Sequence, residues 1–297
     1  MTGRNSMRVA RLTRFGLTTP DPARLASFYR QAFGCRIAEP HRRSGAEFER
    51  LMGTKGGADS RTLTIGQDVV ELLTFDDPGR PYPMDSTACD PIFQHFALVV
   101  PRMDDAFARL SASSGWRPIS IDGPQRLPAA SGGVTAFKFR DPDGHPLELI
   151  EFPLGSVPAR WRAGARGETC LGIDHSAIAV RSTRASAAFY SALGLSVASR
   201  TRNEGREQDR LDGVDNVAVD VAALLPANPT PHVEVLAYTN PPTRREAQVR
   251  ANDVASTRLT FEAAADVAEP ALPKACFDPD LHRLVIEKRQ SLNPNYP

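Results

Sequence analysis

A short apolar segment recurs four times along this chain of 297 residues at intervals of about 80 residues. The segments cover residues 11–17, 93–100, 173–180 and 256–261. At the matching position of each segment stands a histidine or an arginine: Arg14, His95, His175 and Arg258. A period of this length limits the fold more than composition does, because each repeat must be one supersecondary unit that buries its apolar face against another. The chain is therefore predicted to contain four versions of one module.

Each module is predicted to contain a strand, a helix and then further strands. In the first module, Asp21 before a proline is typical of a helix start, apolar residues follow at helical spacing, and Gly34 ends the helix. The third module repeats this plan, with Ser182 or Thr183 as the helix cap and Gly194 as its end. The modules are expected at 8–80, 91–153, 170–240 and 253–290, with residues 153–169 as the boundary between two halves. The fourth is truncated and has room for a first strand, a short helix and two more strands.

Composition excludes several functional classes. The chain has 36 basic and 35 acidic residues, so no net field attracts nucleic acid or an anionic membrane. No apolar run approaches the roughly 18 residues needed to span a bilayer, and the N-terminal residues have no apolar core of a signal peptide, so a soluble cytoplasmic protein is expected. The four cysteines show no metal-binding or disulfide spacing and are expected to be buried thiols. A small-molecule substrate is the expected partner, and the chain is expected to be a monomer or a homodimer.

Two motifs point to a known family. The turn Asp141-Pro142-Asp143-Gly144 leads into a strand that carries Glu148, and a Phe-Tyr pair precedes a helix-ending glycine at residues 28–34 and again at 189–194. With the fourfold repeat, these features resemble the vicinal oxygen chelate superfamily, which includes glyoxalase I, extradiol ring-cleaving dioxygenases, fosfomycin-modifying enzymes and bleomycin-binding proteins. The resemblance covers nearly the whole chain. It implies an α+β fold of tandem βαβββ modules that form paired, curved mixed sheets.

The resemblance also implies one divalent metal ion, held by histidine or glutamine on first strands and glutamate on last strands. Carried over by position, the pairs are Arg14 with Glu71, His95 with Glu148, His175 with Glu234, and Arg258 with Val285. Imidazole and carboxylate suit Fe, Zn, Ni or Mn, whereas a guanidinium has no lone pair to donate. His95, Glu148, His175 and Glu234 are therefore the expected metal ligands.

Two pairings of the modules remain open. If neighbours pair, 1 with 2 and 3 with 4, each cavity mixes ligands with an arginine. If module 2 pairs with 3 and module 1 with 4, one cavity holds all four ligands and the other has lost its metal. We favour the second arrangement because it separates intact modules from altered ones.

Three functions follow from the resemblance and the residues. The first is a glyoxalase-type lyase or isomerase, in which the ion acts as a Lewis acid and Glu148 or Glu234 is the base. The second is an extradiol dioxygenase that uses ferrous iron. The third is a metal-free binding or resistance protein, in which Arg14 or Arg258 takes the negative end of a ligand.

Several further residues are expected near a site. His232 shares a strand face with Glu234, Glu71 is available to pair with Arg14, and Gln125 with Arg126 lies in a long loop that could cover a cavity, as does the segment at 207–208. His145 is interpreted as structural or as a support for metal ligands, and Tyr29 and Tyr190 as core residues. His41 and His282 follow no pattern.

Overall fold

The structure is a computed structural model that describes residues 7–162, 167–242, 249–267 and 272–288. It consists of two mixed β-sheets with helices packed against them, which confirms the expected α+β fold. None of the helices within these ranges has the length and apolar character required to cross a membrane.

Modules 1 and 2 contain the first ten strands. Module 1 comprises β1 (Val9–Thr18), α1 (Pro22–Phe33), β2 (Arg36–Ile37), β3 (His41–Arg43), α2 (Ala46–Met52), β4 (Ala58–Ile65) and β5 (Asp68–Phe75). Module 2 comprises β6 (Gln94–Val99), α3 (Met103–Ser111), β7 (Arg117–Pro118), β8 (Gln125–Arg126), a 3-10 turn (Ala129–Ser131), β9 (Thr135–Arg140) and β10 (Pro146–Glu151). The helix start at Asp21 is confirmed, because its side chain accepts a hydrogen bond from the Arg24 backbone and Gly34 closes the helix in the left-handed conformation.

Modules 3 and 4 supply the remaining strands. A short helix, α4 (Ala159–Arg162), precedes module 3, which comprises β11 (Gly172–Ala179), α5 (Thr183–Ala192), β12 (Ser196–Glu204), α6 (Arg206–Asp212), β13 (Ala218–Leu225) and β14 (His232–Asn240). Module 4 comprises β15 (Arg258–Ala263), β16 (Lys274–Phe277) and β17 (Arg283–Glu287). The described part of module 4 shows no helix. The stretch in which we expected one includes residues 268–271, which lie outside the described ranges, as do residues 289 and 290 of the expected module.

The modules pair as the favoured arrangement predicted. Modules 2 and 3 form a nine-stranded sheet in the order β12-β13-β14-β11-β6-β10-β9-β7, with β8 against β9; we call it the inner sheet. Modules 1 and 4 form an eight-stranded sheet in the order β16-β17-β15-β1-β5-β4-β2, with β3 against β4; we call it the outer sheet. In each sheet the two first strands are antiparallel neighbours, β6 with β11 and β1 with β15.

The interpretation of residues 153–169 as the boundary between two halves was wrong. The segment connects two modules of the same sheet, and its helix α4 is fixed to both sheets. Trp161 donates from Nε1 to Asp174 of the inner sheet at 3.1 Å, while Arg160 donates to Asp68 of the outer sheet at 2.6 Å. A linker rich in Pro, Gly and Arg is equally consistent with a packed crossover, which is why composition misled here.

One apolar core joins the helix-facing sides of both sheets. Along β6, Phe96 and Leu98 enter this core, while His95 and Ala97 project to the opposite side, as the twofold alternation of a strand requires. The rings of Phe15 in β1 and Phe96 in β6 lie 5.3 Å apart between centroids, so the sheets meet directly. The face of each sheet that points away from this core is left free to form a cavity.

Two equivalent turns connect consecutive modules. His145 lies between Asp141, 2.8 Å from Nδ1, and the carbonyl of Thr18, 3.0 Å from Nε2. Tyr29 donates to the same Asp141 at 3.2 Å. Because a carboxylate and a carbonyl can only accept, both ring nitrogens must carry a proton, and the pKa of His145 is raised: burial opposes the charge, but Asp141 outweighs it.

The second turn repeats the first in module 4. His282 binds Asp278 and the carbonyl of Pro91, and Tyr190 donates to Asp278 at 3.4 Å. His282, which followed no pattern in the sequence, is therefore the counterpart of His145. Both tyrosines are buried, as expected, and each also has a hydrogen-bonding role.

We expect His145→Ala to lower the free energy of unfolding by about 2–4 kcal/mol, because it leaves Asp141 charged and the Thr18 carbonyl unpaired in the interior. Urea titration followed by circular dichroism would measure this. The exposed His41→Ala is the control, with a change within about 0.5 kcal/mol. Equal stability of the two variants would show that the turn does not fasten the modules.

Candidate functional site

Strand register brings the four predicted metal ligands onto one face of the inner sheet. In β10, Glu148 lies opposite Ala97, two residues beyond His95 along the parallel strand β6. In β14, Glu234 lies opposite Ala177, two residues beyond His175 along β11. Since His95 is itself opposite Ala177 across the antiparallel pair, the two histidines and two glutamates converge. They line a cavity of about 270 Å³.

The distances within this group are short. His95 Nε2 lies 2.9 Å from Glu148 Oε2, His175 Nε2 lies 3.9 Å from the same oxygen, and His175 Nε2 lies 3.7 Å from Glu234 Oε2. His95, Glu148 and His175 each offer a donor atom, all within 4.8 Å of one another. Such spacings are those of ligands that share one ion at about 2.0–2.2 Å.

The donor chemistry also fits a divalent cation. The carboxylates of Glu148 and Asp174 are buried at the cavity, that of Glu234 is partly exposed there, and Lys138 supplies an ammonium group. Two imidazoles and carboxylate oxygens form a set that Zn, Fe, Ni or Mn accepts. A divalent ion would balance charges that are otherwise costly to bury.

Asp174 and His232 surround His175 on its other side. Asp174 Oδ2 lies 3.1 Å from His175 Nδ1, which leaves Nε2 directed at the two glutamates. His232 Nδ1 lies 3.9 Å from Asp174 and its Nε2 lies 3.6 Å from Glu234. A carboxylate on the far nitrogen of a ligand histidine fixes the ring orientation. Asp174 therefore orients His175, and His232 borders Glu234, as its position on that strand predicted.

The two histidines differ in protonation. Burial lowers the pKa of His95 and outweighs its hydrogen bond to Glu148, so this ring is neutral. Burial acts the same way on His175, but Glu234, Asp174 and Glu148 outweigh it and raise the pKa of His175 to about 9. In the ion-free protein at neutral pH, His175 is therefore an imidazolium.

The glutamates are both ionised. Burial raises the pKa of Glu234. The charge of His175 and the contacts with His232 outweigh burial, and the resulting pKa of Glu234 is about 2. Burial also raises the pKa of Glu148, but the hydrogen bond with His95 and the charge of Lys138 outweigh burial and lower this pKa. Glu148 is held tightly, with 8% of its side chain exposed, whereas Glu234 is 26% exposed.

The outer sheet has no equivalent ligand set within its described residues. Arg14 lies 2.7 Å from Glu287 and 3.3 Å from Glu71, which also accepts from Arg43 and Ser60. This ion-paired cluster borders a larger cavity of about 840 Å³. The expected pairing of Arg14 with Glu71 is present.

The prediction that Arg258 faces a ligand cavity was wrong. Its Nη1 donates to the Thr18 hydroxyl at 2.7 Å and to the carbonyl of Ala251 at 2.9 Å, and the side chain is buried away from the cavity wall. Burial lowers the pKa of Arg258 to about 9. Arg258 has the same position in its module as His95, but its guanidinium donates to backbone carbonyls of the loop that precedes β15.

Gln125 and Arg126 are not brought into the site. They form β8 against β9, and Gln125 donates to the carbonyls of Ile121 and Gly123 in its own loop. The same loop does reach the cavity, but through Leu127, Ser131 and Gly132. The polar character of Gln125 did not indicate a ligand contact, because its amide donates to backbone carbonyls of the same loop.

Sequence reasoning missed Lys138, Asp174 and Asp212. Lys138 is buried at the cavity wall and donates to Asp212 at 2.6 Å. The signal was available for Lys138, which stands between Phe137 and Phe139 in the middle of strand β9. Asp212 had no such signal, because it closes a seven-residue helix that the sequence did not predict.

Comparison with known proteins gives a match to a family model over part of the chain and a likeness of fold over nearly all of it. Residues 11–149 match the family model described as Glyoxalase/Bleomycin resistance protein/Dioxygenase superfamily. A comparison with curated protein sequences gives no match.

Solved structures resemble nearly the whole chain. Glyoxalase I from Zea mays aligns with a TM-score of 0.56 at 16% identity, over 93% of this chain and 91% of the maize chain. A candidate dioxygenase from Bacillus subtilis aligns with a TM-score of 0.59 at 12% identity, over 96% of this chain and 87% of its own. At such identities the likeness concerns the fold alone.

We expect divalent metal binding to release about one proton per ion at pH 7.5, because a ligand imidazole must be neutral and the pKa of His175 is about 9. Affinity should rise with pH below 9 and level off above it. Calorimetry with Zn²⁺ or Mn²⁺ in buffers of different ionisation enthalpy measures the proton count. His175→Gln should abolish the release, and binding without proton release in the unmodified chain would contradict the assignment.

Proposed function

We propose that this chain is a metal-dependent enzyme of the Glyoxalase/Bleomycin resistance protein/Dioxygenase superfamily. The family model matches residues 11–149, and glyoxalase I from Zea mays and a candidate dioxygenase from Bacillus subtilis share the fold over nearly the whole chain. The substrate of this enzyme is a small molecule that presents two adjacent oxygen atoms. The reaction is a glyoxalase-like lyase or isomerase step that begins with removal of a carbon-bound proton.

The observation that carries this proposal is the convergence of two histidines and two glutamates from four different strands. His95, Glu148 and His175 lie within ligand distance of one another, and Glu234 lies next to His175. The corresponding positions of the outer sheet are filled by Arg14, Glu71, Arg258 and Val285, which leave one carboxylate and no imidazole. A ligand set kept in one sheet only supports a single ion per chain.

A divalent ion held there would supply Lewis-acid chemistry by polarising the two substrate oxygens. Among the residues, Glu148 is suited to holding the ion, because His95 and Lys138 fix it and it is almost fully buried. Of the two glutamates, Glu234 is better placed to take the proton. It is the more exposed carboxylate and its contacts with histidines are 3.6 and 3.7 Å long, so one oxygen can accept a proton without breaking a short hydrogen bond.

The cavity walls restrict the substrate. The cavity volume of about 270 Å³ is slightly below the volume of pockets for drug-sized ligands, so the part of the substrate that reacts is small. Leu127, Val134 and Phe152 form an apolar side and Ser199 with Asn203 a polar one. An apolar wall strengthens the electrostatic contacts made inside by excluding water.

A second candidate function is an extradiol dioxygenase that uses ferrous iron. The observation that favours it is that the three donors within 4.8 Å are two histidines and one carboxylate, the facial set typical of non-haem iron oxygenases. Glu234 at the cavity wall favours the first candidate, because a fourth ligand, a second carboxylate, takes a position near the ion that oxygen chemistry needs open.

We expect the purified protein to contain close to one divalent ion per chain, and His95→Ala with His175→Ala to reduce this below a tenth. Loss of two of three close ligands removes most of the affinity. Elemental analysis by mass spectrometry measures the content. Metal below stoichiometric and unchanged by the double substitution would favour the metal-free binding function instead.

We expect Glu234→Gln to keep the ion but to slow proton removal by about 100-fold or more, because the amide cannot accept the proton. The measurement is exchange of the carbon-bound proton of α-hydroxy ketones with deuterium, followed by NMR. Glu148→Gln serves as the comparison and should lose metal as well as activity. Oxygen uptake with catechols and ferrous iron, in the absence of any such exchange, would establish the second candidate.

A further inference from the structure

A buried polar network adjoins the His–Glu cluster, and apart from Lys138 its members have no part in the proposed reaction. Its centre is Asp212 at the end of α6, which accepts from Lys138 at 2.6 Å, from Gln208 at 2.8 Å and from the Tyr238 hydroxyl at 3.1 Å. Lys138 and Gln208 both line the same 270 Å³ cavity as His95 and His175. The network therefore reaches the cavity wall through Lys138 and Gln208.

The orientation of the Gln208 amide follows from Asp212. An ionised carboxylate only accepts hydrogen bonds, so the Gln208 Nε2 group must face it and the carbonyl oxygen Oε1 must point elsewhere. That oxygen is buried and has no hydrogen-bond partner, and the residue as a whole is 4% exposed. A buried acceptor without a donor is unusual in a native protein and indicates that a donor is supplied from outside the chain.

The outer sheet provides an internal comparison for this helix. Helix α2 is the counterpart of α6: both have seven residues, both begin after a glycine, Gly45 or Gly205, and both end at a left-handed glycine, Gly53 or Gly213. Counting from these glycines, Gln208 corresponds to Phe48 and Asp212 to Met52.

The other two members of the network, Lys138 and Tyr238, also have apolar counterparts in the outer sheet. Lys138 lies opposite Glu148, and Ala275 holds the equivalent place opposite Val285. Tyr238 follows Glu234 at the distance at which Phe75 follows Glu71. The apolar replacements form one packed cluster, in which the rings of Phe48 and Phe75 stack at 5.9 Å. The module therefore folds with apolar residues at these places, and the polar set of the inner sheet is not needed for packing.

We propose that Gln208 determines substrate specificity by accepting a hydrogen bond from a hydroxyl or N–H group of the substrate. Asp212 and Lys138 are positioning residues that hold the amide in this orientation. The substrate thus carries, besides the two adjacent oxygens that face the ion, a third group that donates a hydrogen bond. This inference rests on the proposed function, because it places both groups on one molecule in one cavity.

The test uses catechols as probes, in two pairs that differ in a single donor. Pyrogallol is compared with 3-methoxycatechol, and 1,2,4-benzenetriol with 4-methoxycatechol, on the full-length protein loaded with Mn²⁺ under anaerobic conditions. Dissociation constants come from calorimetry, and the ion content of the same samples is measured first. A sample that holds no ion overturns the proposed function, and this outcome is recognised before any probe is added.

The variants are Gln208→Met, which is of similar size but has no acceptor, and Gln208→Ala as a second truncation. The matched control is Gln125→Met, because Gln125 is also buried but its amide serves its own loop outside the cavity. Folding of each variant is checked by near-ultraviolet circular dichroism and by its ion content.

We expect the unmodified protein and the Gln125 variant to bind the hydroxyl member of at least one pair about fivefold more tightly, which corresponds to one neutral hydrogen bond. Both Gln208 variants should lose this preference while keeping the affinity for the methoxy member. A preference that survives in a folded Gln208 variant overturns the inference. The absence of a preference, or of probe binding, in ion-loaded unmodified protein overturns it as well.

Discussion

The antiparallel pairing of β6 with β11 is the constraint on which the candidate site depends. Its register puts His95 opposite Ala177, and it is fixed by buried side chains: the Ser176 hydroxyl donates to the His95 carbonyl at 3.1 Å and accepts from Gln94 at 3.1 Å. A shift of one residue would turn a histidine to the other face of the sheet. Without this pairing the glutamates of β10 and β14 would not lie in one site, because each of these strands lies beside only one of the two first strands.

The sequence allowed prediction of the features that repeat locally. The fourfold recurrence predicted the strands, the proline after Asp21 indicated the helix start, and the family resemblance, carried over repeat by repeat, implied the four residues His95, Glu148, His175 and Glu234. The sequence did not predict the surroundings of those residues. Asp212, for example, contacts Lys138 and Gln208 of the cavity wall from the short helix α6, which has no distinctive apolar period. The failure at Arg258 had another cause: residues with equal positions have different neighbours, and three backbone and hydroxyl oxygens compete for the guanidinium.

The two sheets show how one fold treats the same interior position in different ways. In the outer sheet, Val285 and Arg258 stand where the inner sheet has Glu148 and His95, and Phe48, Met52 and Phe75 fill the adjoining space. At the outer cavity, Glu71 is paired with Arg14 and Arg43 and no histidine stands beside it among these partners. At the inner cavity, the lining carboxylates of Glu148, Asp174 and Glu234 outnumber the single permanent cation, Lys138, which leaves the cavity attractive to a cation. The difference lies in side chains, since strand order around each pair of first strands is the same.

The order of modules along the chain has a consequence for biosynthesis. The inner sheet is assembled from consecutive modules and has all its strands once the chain extends to Asn240, the last residue of β14. The outer sheet joins the two extremes of the chain, with β1 paired to β15 across a separation of nearly 250 residues. During synthesis from the N-terminus, modules 2 and 3 can pair before module 4, the partner of module 1, has been made. Contacts between distant residues form only after the intervening chain exists. The cavity with the histidines and glutamates is thus the part of the molecule that a ribosome-bound chain can complete first.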